Sequence, residues 1–188
     1  MPAAPPPSAQ EWFQHFKEEF NRSSEDPSTE VGIHYLKWET RGRLAAGEPE
    51  WTDVIAIFLS RLARSMEYFQ DWEHKPKRTD FVWYEGDQKT PAVAIEHEND
   101  YKLKIEAKEI PNLLSSNAAL KVLITYAYTE GRESVEQVTG RILKIASGGL
   151  RKSQPSGEFL LVLGPDDRSD PWRWRGFVWE EDRFVPLH

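Results

Sequence analysis

Residues Arg78–Asn99, RTDFVWYEGDQKTPAVAIEHEN, hold two runs rich in β-branched and aromatic residues, Arg78–Glu85 and Ala92–Asn99, separated by turn chemistry over Glu85–Pro91. That pattern predicts a β-hairpin. Asp80 opens its first strand, and Glu96 and Glu98 lie near the end of its second. Strand side chains alternate, so Glu96 and Glu98 share a face, and Asp80 joins them where the register sets its strand alongside. Three carboxylates within about 4 Å repel by several kcal/mol at an effective dielectric of roughly 20. Such a cluster persists only with a bound cation or with raised pKa values. Oxygen donors of this kind suit Mg²⁺ or Mn²⁺.

Downstream of the hairpin, Leu103, Ala107, Ile110 and Leu114 follow a one-face helical spacing that Pro111 kinks or divides. Ala119–Tyr128 is an apolar run of strand length, expected to be buried on both faces of a sheet. Glu133–Ala146 reads as a helix ended by Gly148-Gly149, Phe159–Gly164 as another buried strand, and Phe177–Trp179 with Phe184–Val185 as a closing hairpin. Upstream, Glu11–Phe20 is a short amphipathic helix, Asn21–Glu30 a loop, and Val31–Trp38 a short strand or turn. Trp51–Trp72 carries the strongest helical pattern, with Thr52 as the expected N-cap. Strands alternating with helices after an antiparallel start favour an α/β sandwich with a mixed central sheet.

The chain has 188 residues, close to one domain's worth, and its eight Trp, nine Phe and six Tyr supply apolar area for a core. Met1–Gln10 is Pro/Ala-rich and reads as a flexible arm rather than a signal peptide, leaving residues 11–188 as one domain with a Trp-rich C-terminal hairpin. Absence of cysteine excludes disulfides, thiolate metal sites and a Cys nucleophile, and suits a reducing cytoplasm. No apolar run approaches the roughly 20 residues that span a bilayer, so no membrane partner is expected. With 24 basic against 31 acidic side chains the net charge is −7, which argues against a broad basic face for nucleic acid. Binding to nucleic acid then falls to local basic stretches or a metal.

Asp80, a hairpin and then Glu96-His97-Glu98 resemble the PD-(D/E)xK phosphodiesterase superfamily over roughly Trp51–Tyr128. The order of elements is similar: a helix, a strand bearing the Asp, a strand bearing (D/E)xK, a helix and a buried strand. The resemblance implies a three-layer α/β/α restriction-endonuclease-like fold and a Mg²⁺- or Mn²⁺-dependent nuclease acting on phosphodiester bonds. It makes Asp80 and Glu96 metal ligands, with the main-chain carbonyl of His97 as another. Glu98 occupies the position of the family's lysine, as it does in some restriction enzymes, and becomes the candidate general base. Thr79 stands where the family commonly has Pro. Glu67, late in the long helix, is a further candidate ligand by the same resemblance.

Lys102, Lys104 and Lys108 are candidates for the positive charge that Glu98 does not supply, and a rim of Lys102, Lys104, Lys121 or Arg78 would favour nucleic acid. Trp172-Arg173-Trp174-Arg175 places two Trp on one side of a strand and two Arg on the other, either for base stacking or for packing. The side chain of His97 belongs to the opposite face, with Val93 and Ile95. In the alternative reading Asp80 caps a strand, Glu96 pairs with a lysine and Glu98 opens a polar turn. The protein is then a noncatalytic protein-binding module that keeps the nuclease fold, conceivable as a homodimer.

Overall fold

The computed structural model describes residues 5–39, 50–70, 79–86, 91–99, 105–128, 133–153, 155–164 and 174–188. The chain divides into two units, one made of Met1–Phe13 with Phe69–His188 and the other of Gln14–Tyr68. Helix α1 (Ala9–Glu25) begins in the first and continues into the second. None of the described helices is long and apolar enough to cross a membrane.

The first unit carries a seven-stranded mixed sheet in chain order, so every strand lies beside its sequence neighbour. Its strands are β1 (Tyr68–Gln70), β2 (Phe81–Glu85), β3 (Val93–His97), β4 (Leu120–Tyr126), β5 (Glu158–Gly164), β6 (Arg175–Glu180) and β7 (Arg183–Pro186). Strands β2 and β3 pair antiparallel as the hairpin pattern predicts. The β3–β4 and β4–β5 pairs are parallel, and the terminal β5–β6–β7 pairs are antiparallel. Parallel neighbours require crossovers. A π-helical turn (Ile105–Glu109) running into α4 (Ile110–Ser115) makes the first, and α5 (Val135–Ser153) makes the second.

These crossovers bury one sheet face. Ala94, Leu123, Phe159, Leu161 and Leu163 pack there with Ile105, Ile110, Leu113, Val138, Ile142, Ala146 and Leu150 from the helical elements. Every residue of β4 is buried, as expected for a central strand covered on both faces. Helix α5 does not stop at Gly148-Gly149. A Cβ on Gly149 would stand 3.0 Å from Ile110 Cδ1, so this glycine serves close packing within a continuing helix rather than a C-cap. Pro111 lies in the first turn of α4, where the π-helical turn passes into it, so the helical segment is divided there as the sequence predicts.

At the N-terminus the helix begins earlier than the arm predicted over Met1–Gln10. Ser8 and Glu11 form a capping box: Ser8 Oγ accepts the Glu11 N–H at 3.2 Å, and Glu11 Oε2 accepts the Ser8 N–H at 2.9 Å. Ala9 is buried and its N–H donates to Glu158 Oε2 at 2.5 Å, while Trp12 lies 5.8 Å from Trp83, ring centre to ring centre. Ser8→Ala should therefore lower stability by about 1 kcal/mol, with Ser8→Thr close to neutral. Equal urea midpoints for the unaltered and Ser8→Ala proteins would contradict the cap.

In the second unit α1 extends to Glu25, past the predicted loop start, and Phe16 and Phe20 meet Phe58 edge-on. Glu30–Glu39 is a helix, α2, where a short strand or turn is the sequence expectation. Thr29 Oγ1 accepts the Gly32 N–H at 2.9 Å, which caps it. A Cβ on Gly32 would stand 1.9 Å from the Asp26 carbonyl oxygen, so the helix start closes on the preceding turn only through glycine. Helix α3 spans Trp51–Ser65 and buries Val54, Ile55, Phe58, Leu59 and Leu62. Its N-cap is Glu50, without a side-chain cap bond, rather than Thr52.

Candidate metal centre

Register decides the meeting of the hairpin acids. Phe81 is paired with Ile95, which sets Asp80, the residue before β2, opposite Glu96. Glu96 shares its sheet face with Ala94 and Leu123, the face that the crossover helices cover. Asp80 is fixed by its main-chain neighbour: Oδ2 accepts the His97 N–H at 3.0 Å. The Glu98 N–H donates to Ile124 O on β4 at 2.9 Å, so the preceding residue directs its main-chain groups to the opposite edge of β3. The His97 carbonyl thus lies on the edge that carries Asp80. Glu98 is buried as the first residue after β3.

A fourth acid enters from the crossover. Glu109 closes the π-helical turn, is 2% exposed, and shares a hydrogen bond with Glu96. Sequence reading missed it, although a signal exists: Glu109 lies one turn beyond Ile105 and beside Ile110, an acid on an apolar stripe. Burial, the Glu109 hydrogen bond and the negative charge of Asp80 push the Glu96 carboxyl up to about 10. Near neutral pH Glu96 accordingly holds a proton and donates it to Glu109. Glu96 Oε1 is buried with no hydrogen-bond partner. An orphaned buried oxygen costs about 1–3 kcal/mol, which a ligand that takes it up would offset.

Lys108 lies at the exposed side of these acids. Its ammonium stands 2.9 Å from Glu109 Oε1, and its side chain is 63% exposed against 2% for Glu109. The Glu109 hydrogen bond, with the charges of Glu109, Glu96 and Asp80, raises the Lys108 pKa above its ordinary value. Among the described residues, no three His, Asp or Glu side chains are arranged to hold one metal ion together. A Glu96 carboxyl that is neutral near pH 7 relieves the repulsion between it and Asp80 that the hairpin pattern leads one to expect. Asp80, Glu96, Glu109 and the His97 carbonyl offer oxygen atoms only, the kind of donor that Mg²⁺ and Mn²⁺ accept.

The His97 ring turns away from this site. Its Nε2 is 2.9 Å from Tyr126 Oη, and the two rings meet edge-on at 5.6 Å. Burial lowers its pKa to about 4, so the ring is neutral at pH 7. Tyr126 also stacks on Tyr128 and meets Trp174, whose burial makes it part of this packed cluster instead of a base-stacking surface. Arg175 donates to Thr139 Oγ1 at 2.7 Å.

Two sequence candidates change role. Lys121 is fully buried, with Nζ donating to Ala118 O at 2.7 Å and to Ser156 O at 2.5 Å, so it belongs to no basic rim. Glu67 lies beyond the end of α3, exposed and with φ of 62°, so it is not the helical acid that the sequence pattern predicts. Arg78, Lys102, Lys104, Leu103, Trp72, Trp172 and Arg173 fall outside the described residues.

No family model and no curated protein matches the chain. Among solved structures, the central domain of yeast acetyl-CoA carboxylase is similar over 96% of this chain at 12% identity, with a TM-score of 0.43. The chain spans 34% of that protein's chain.

Proposed function

We propose that this protein is a divalent-cation-dependent phosphodiesterase domain of restriction-endonuclease-like type, acting on nucleic acid. The observation that carries this reading is the buried Glu96 carboxyl, with one oxygen unpartnered, set opposite Asp80 at the end of an otherwise apolar strand. The chain order of α3, the β2–β3 hairpin, α4 and β4 supports it, with β1 as an additional strand before the hairpin, as does the His97 carbonyl on the Asp80 edge. Asp80, Glu96 and that carbonyl are the proposed ligands, Glu96 once it has lost the proton that it donates to Glu109. A bound cation would offset charge developing on a phosphodiester and acidify a bound water. Glu98 is the proposed acceptor of that water's proton.

Calorimetric titration with Mn²⁺ and Mg²⁺ tests the site. The unaltered protein should bind Mn²⁺ with a dissociation constant in the micromolar to millimolar range and gain thermal stability as the cation is added. Asp80→Ala should remove both effects. A stability that ignores Mn²⁺, in a folded protein, would displace the nuclease reading in favour of the noncatalytic binding module, which the proton-sharing acid pair and the net charge of −7 suit.

A further inference from the structure

We infer that the outer face of α5 is a docking surface for the phosphodiester backbone of nucleic acid. This goes beyond the cation-site reading and needs no metal. At 3.6 residues per turn, Gln137, Arg141, Lys144, Gly148, Arg151 and Lys152 fall within roughly 100° of arc on α5. The far side of the helix carries Val138, Ile142, Ala146 and Leu150 into the core, so this arc faces solvent, and its four basic side chains are exposed. No Asp or Glu of α5 lies on it, although acids outnumber bases 31 to 24 in the chain.

The arc is unfavourable for the helix itself. Arg141 and Lys144 are like charges one turn apart, an arrangement that weakens a helix. Gly140 borders the arc in mid-helix. A Cβ there would meet nothing within 4 Å, so packing does not require glycine and alanine would form the better helix. A glycine with open space beside a row of cations suits the close approach of another backbone. Two of the cations have fixed partners. Arg141 Nη1 is 2.6 Å from Glu133 Oε1, with 45% and 36% of the two side chains exposed, and such pairs are weak in water. Arg151 Nη2 donates to the Asp182 carbonyl at 3.0 Å, which anchors its guanidinium beside the exposed acids Glu181 and Asp182. Lys144, midway along the arc, is therefore the principal contact. From Arg141 to Lys152 the stripe runs roughly 16 Å at about 1.5 Å per residue. One strand of a duplex carries a phosphate every 3.4 Å or so along its axis, which sets roughly five phosphates alongside four cations. An anionic bilayer fits less well, because the arc has no apolar side chain to insert: Leu143 and Ile145 pack against the core.

The test is fluorescence anisotropy of labelled DNA and RNA duplexes of about 20 base pairs, in a chelator, at about 50–200 mM KCl. The unaltered protein should bind with a logarithmic salt slope of about −3. Lys144→Gln should make that slope shallower by about 0.9 and weaken binding about tenfold at about 50 mM salt, while Lys144→Arg keeps both. Arg64→Gln, an equal change of charge at an exposed position on α3, should stay within about twofold of the unaltered protein. Binding of one duplex and not the other would assign the backbone to DNA or to RNA and support the surface either way. Equal slopes for the unaltered and Lys144→Gln proteins would overturn the assignment, as would equal losses in Lys144→Gln and Arg64→Gln. Binding of phosphatidylserine vesicles through Lys144, with no binding of either duplex, would overturn it in favour of a lipid surface. Because the chelator removes divalent cations, failure of the unaltered protein to bind either duplex strikes this surface alone, and failure to bind Mn²⁺ strikes the cation site alone.

Discussion

Replacing Glu96 with Gln should make the metal-free protein more stable than the unaltered one at about pH 9, and should flatten its loss of stability with rising pH. The Glu96 carboxyl titrates at about 10 in the fold against an ordinary 4.5, through burial first, then the Glu109 hydrogen bond and the charge of Asp80. Between those values the folded protein holds a proton that the unfolded chain has released, so stability falls as pH rises. The contribution is complete below pH 4.5 and lost as pH rises through about 10. One proton limits the slope to about 1.4 kcal/mol per pH unit, which is at most about 4 kcal/mol between about pH 6 and about pH 9. Gln fills the same space, can still donate to Glu109, and does not titrate. Urea unfolding in a chelator at both pH values reads the difference directly. Parallel stability curves for the two proteins would mean that Glu96 is ionised in the fold, and the proton-sharing description would be wrong.

Half of that site is legible in the sequence. Period-two alternation and a turn between two runs identify the β2–β3 hairpin, and alternation alone sets Glu96 on a definite face. The register that places Asp80 opposite it follows from pairing Phe81 with Ile95, which no local pattern specifies. Glu109 was missed for a different reason. An acid next to a lysine and two residues before a proline looks like a solvated helix end, and only the closure of the crossover over β3 buries it. Lys121 erred in the opposite direction. A lysine near the start of an apolar run resembles a surface gatekeeper, whereas here its ammonium meets two carbonyls from segments that precede β4 and β5.

The elements show the same division between local and tertiary causes. Long apolar strands and amphipathic helices dominate their own windows, so β4, β5 and most of α5 are readable from periodicity. Boundaries decided by contacts elsewhere are not. Gly148-Gly149 carries the signature of a helix end, and α5 continues through it because Gly149 lets Ile110 approach. The turn at Asp26 and the cap at Thr29 create α2, while the stretch itself shows no clear apolar stripe. Ser8 and Glu11 form a capping box whose spacing was on view in a segment that its prolines made look like an arm.

Lys121→Ala should be among the most damaging single substitutions in the sheet, lowering stability by about 3–4 kcal/mol. Two losses add. Removing a fully buried aliphatic stem leaves a cavity between β4 and its covering helices, at about 2–5 kcal/mol for comparable truncations. The Ala118 and Ser156 carbonyls also lose their donor. Lys121→Met keeps the stem and should cost only about 1–2 kcal/mol, the hydrogen-bond share alone. Burial holds the Lys121 pKa below its ordinary 10.5, so the native state releases a proton before the unfolded chain does. Between the lowered value and 10.5, stability therefore rises with pH, opposite in sign to the contribution of Glu96. The gap between the unaltered protein and Lys121→Met should then widen on alkalinisation, as the cost of burying the ammonium disappears. Urea unfolding at about pH 7 and about pH 10 measures both effects. A Lys121→Ala protein within about 1 kcal/mol of the unaltered one would show that the ammonium's burial already costs as much as its stem and hydrogen bonds contribute.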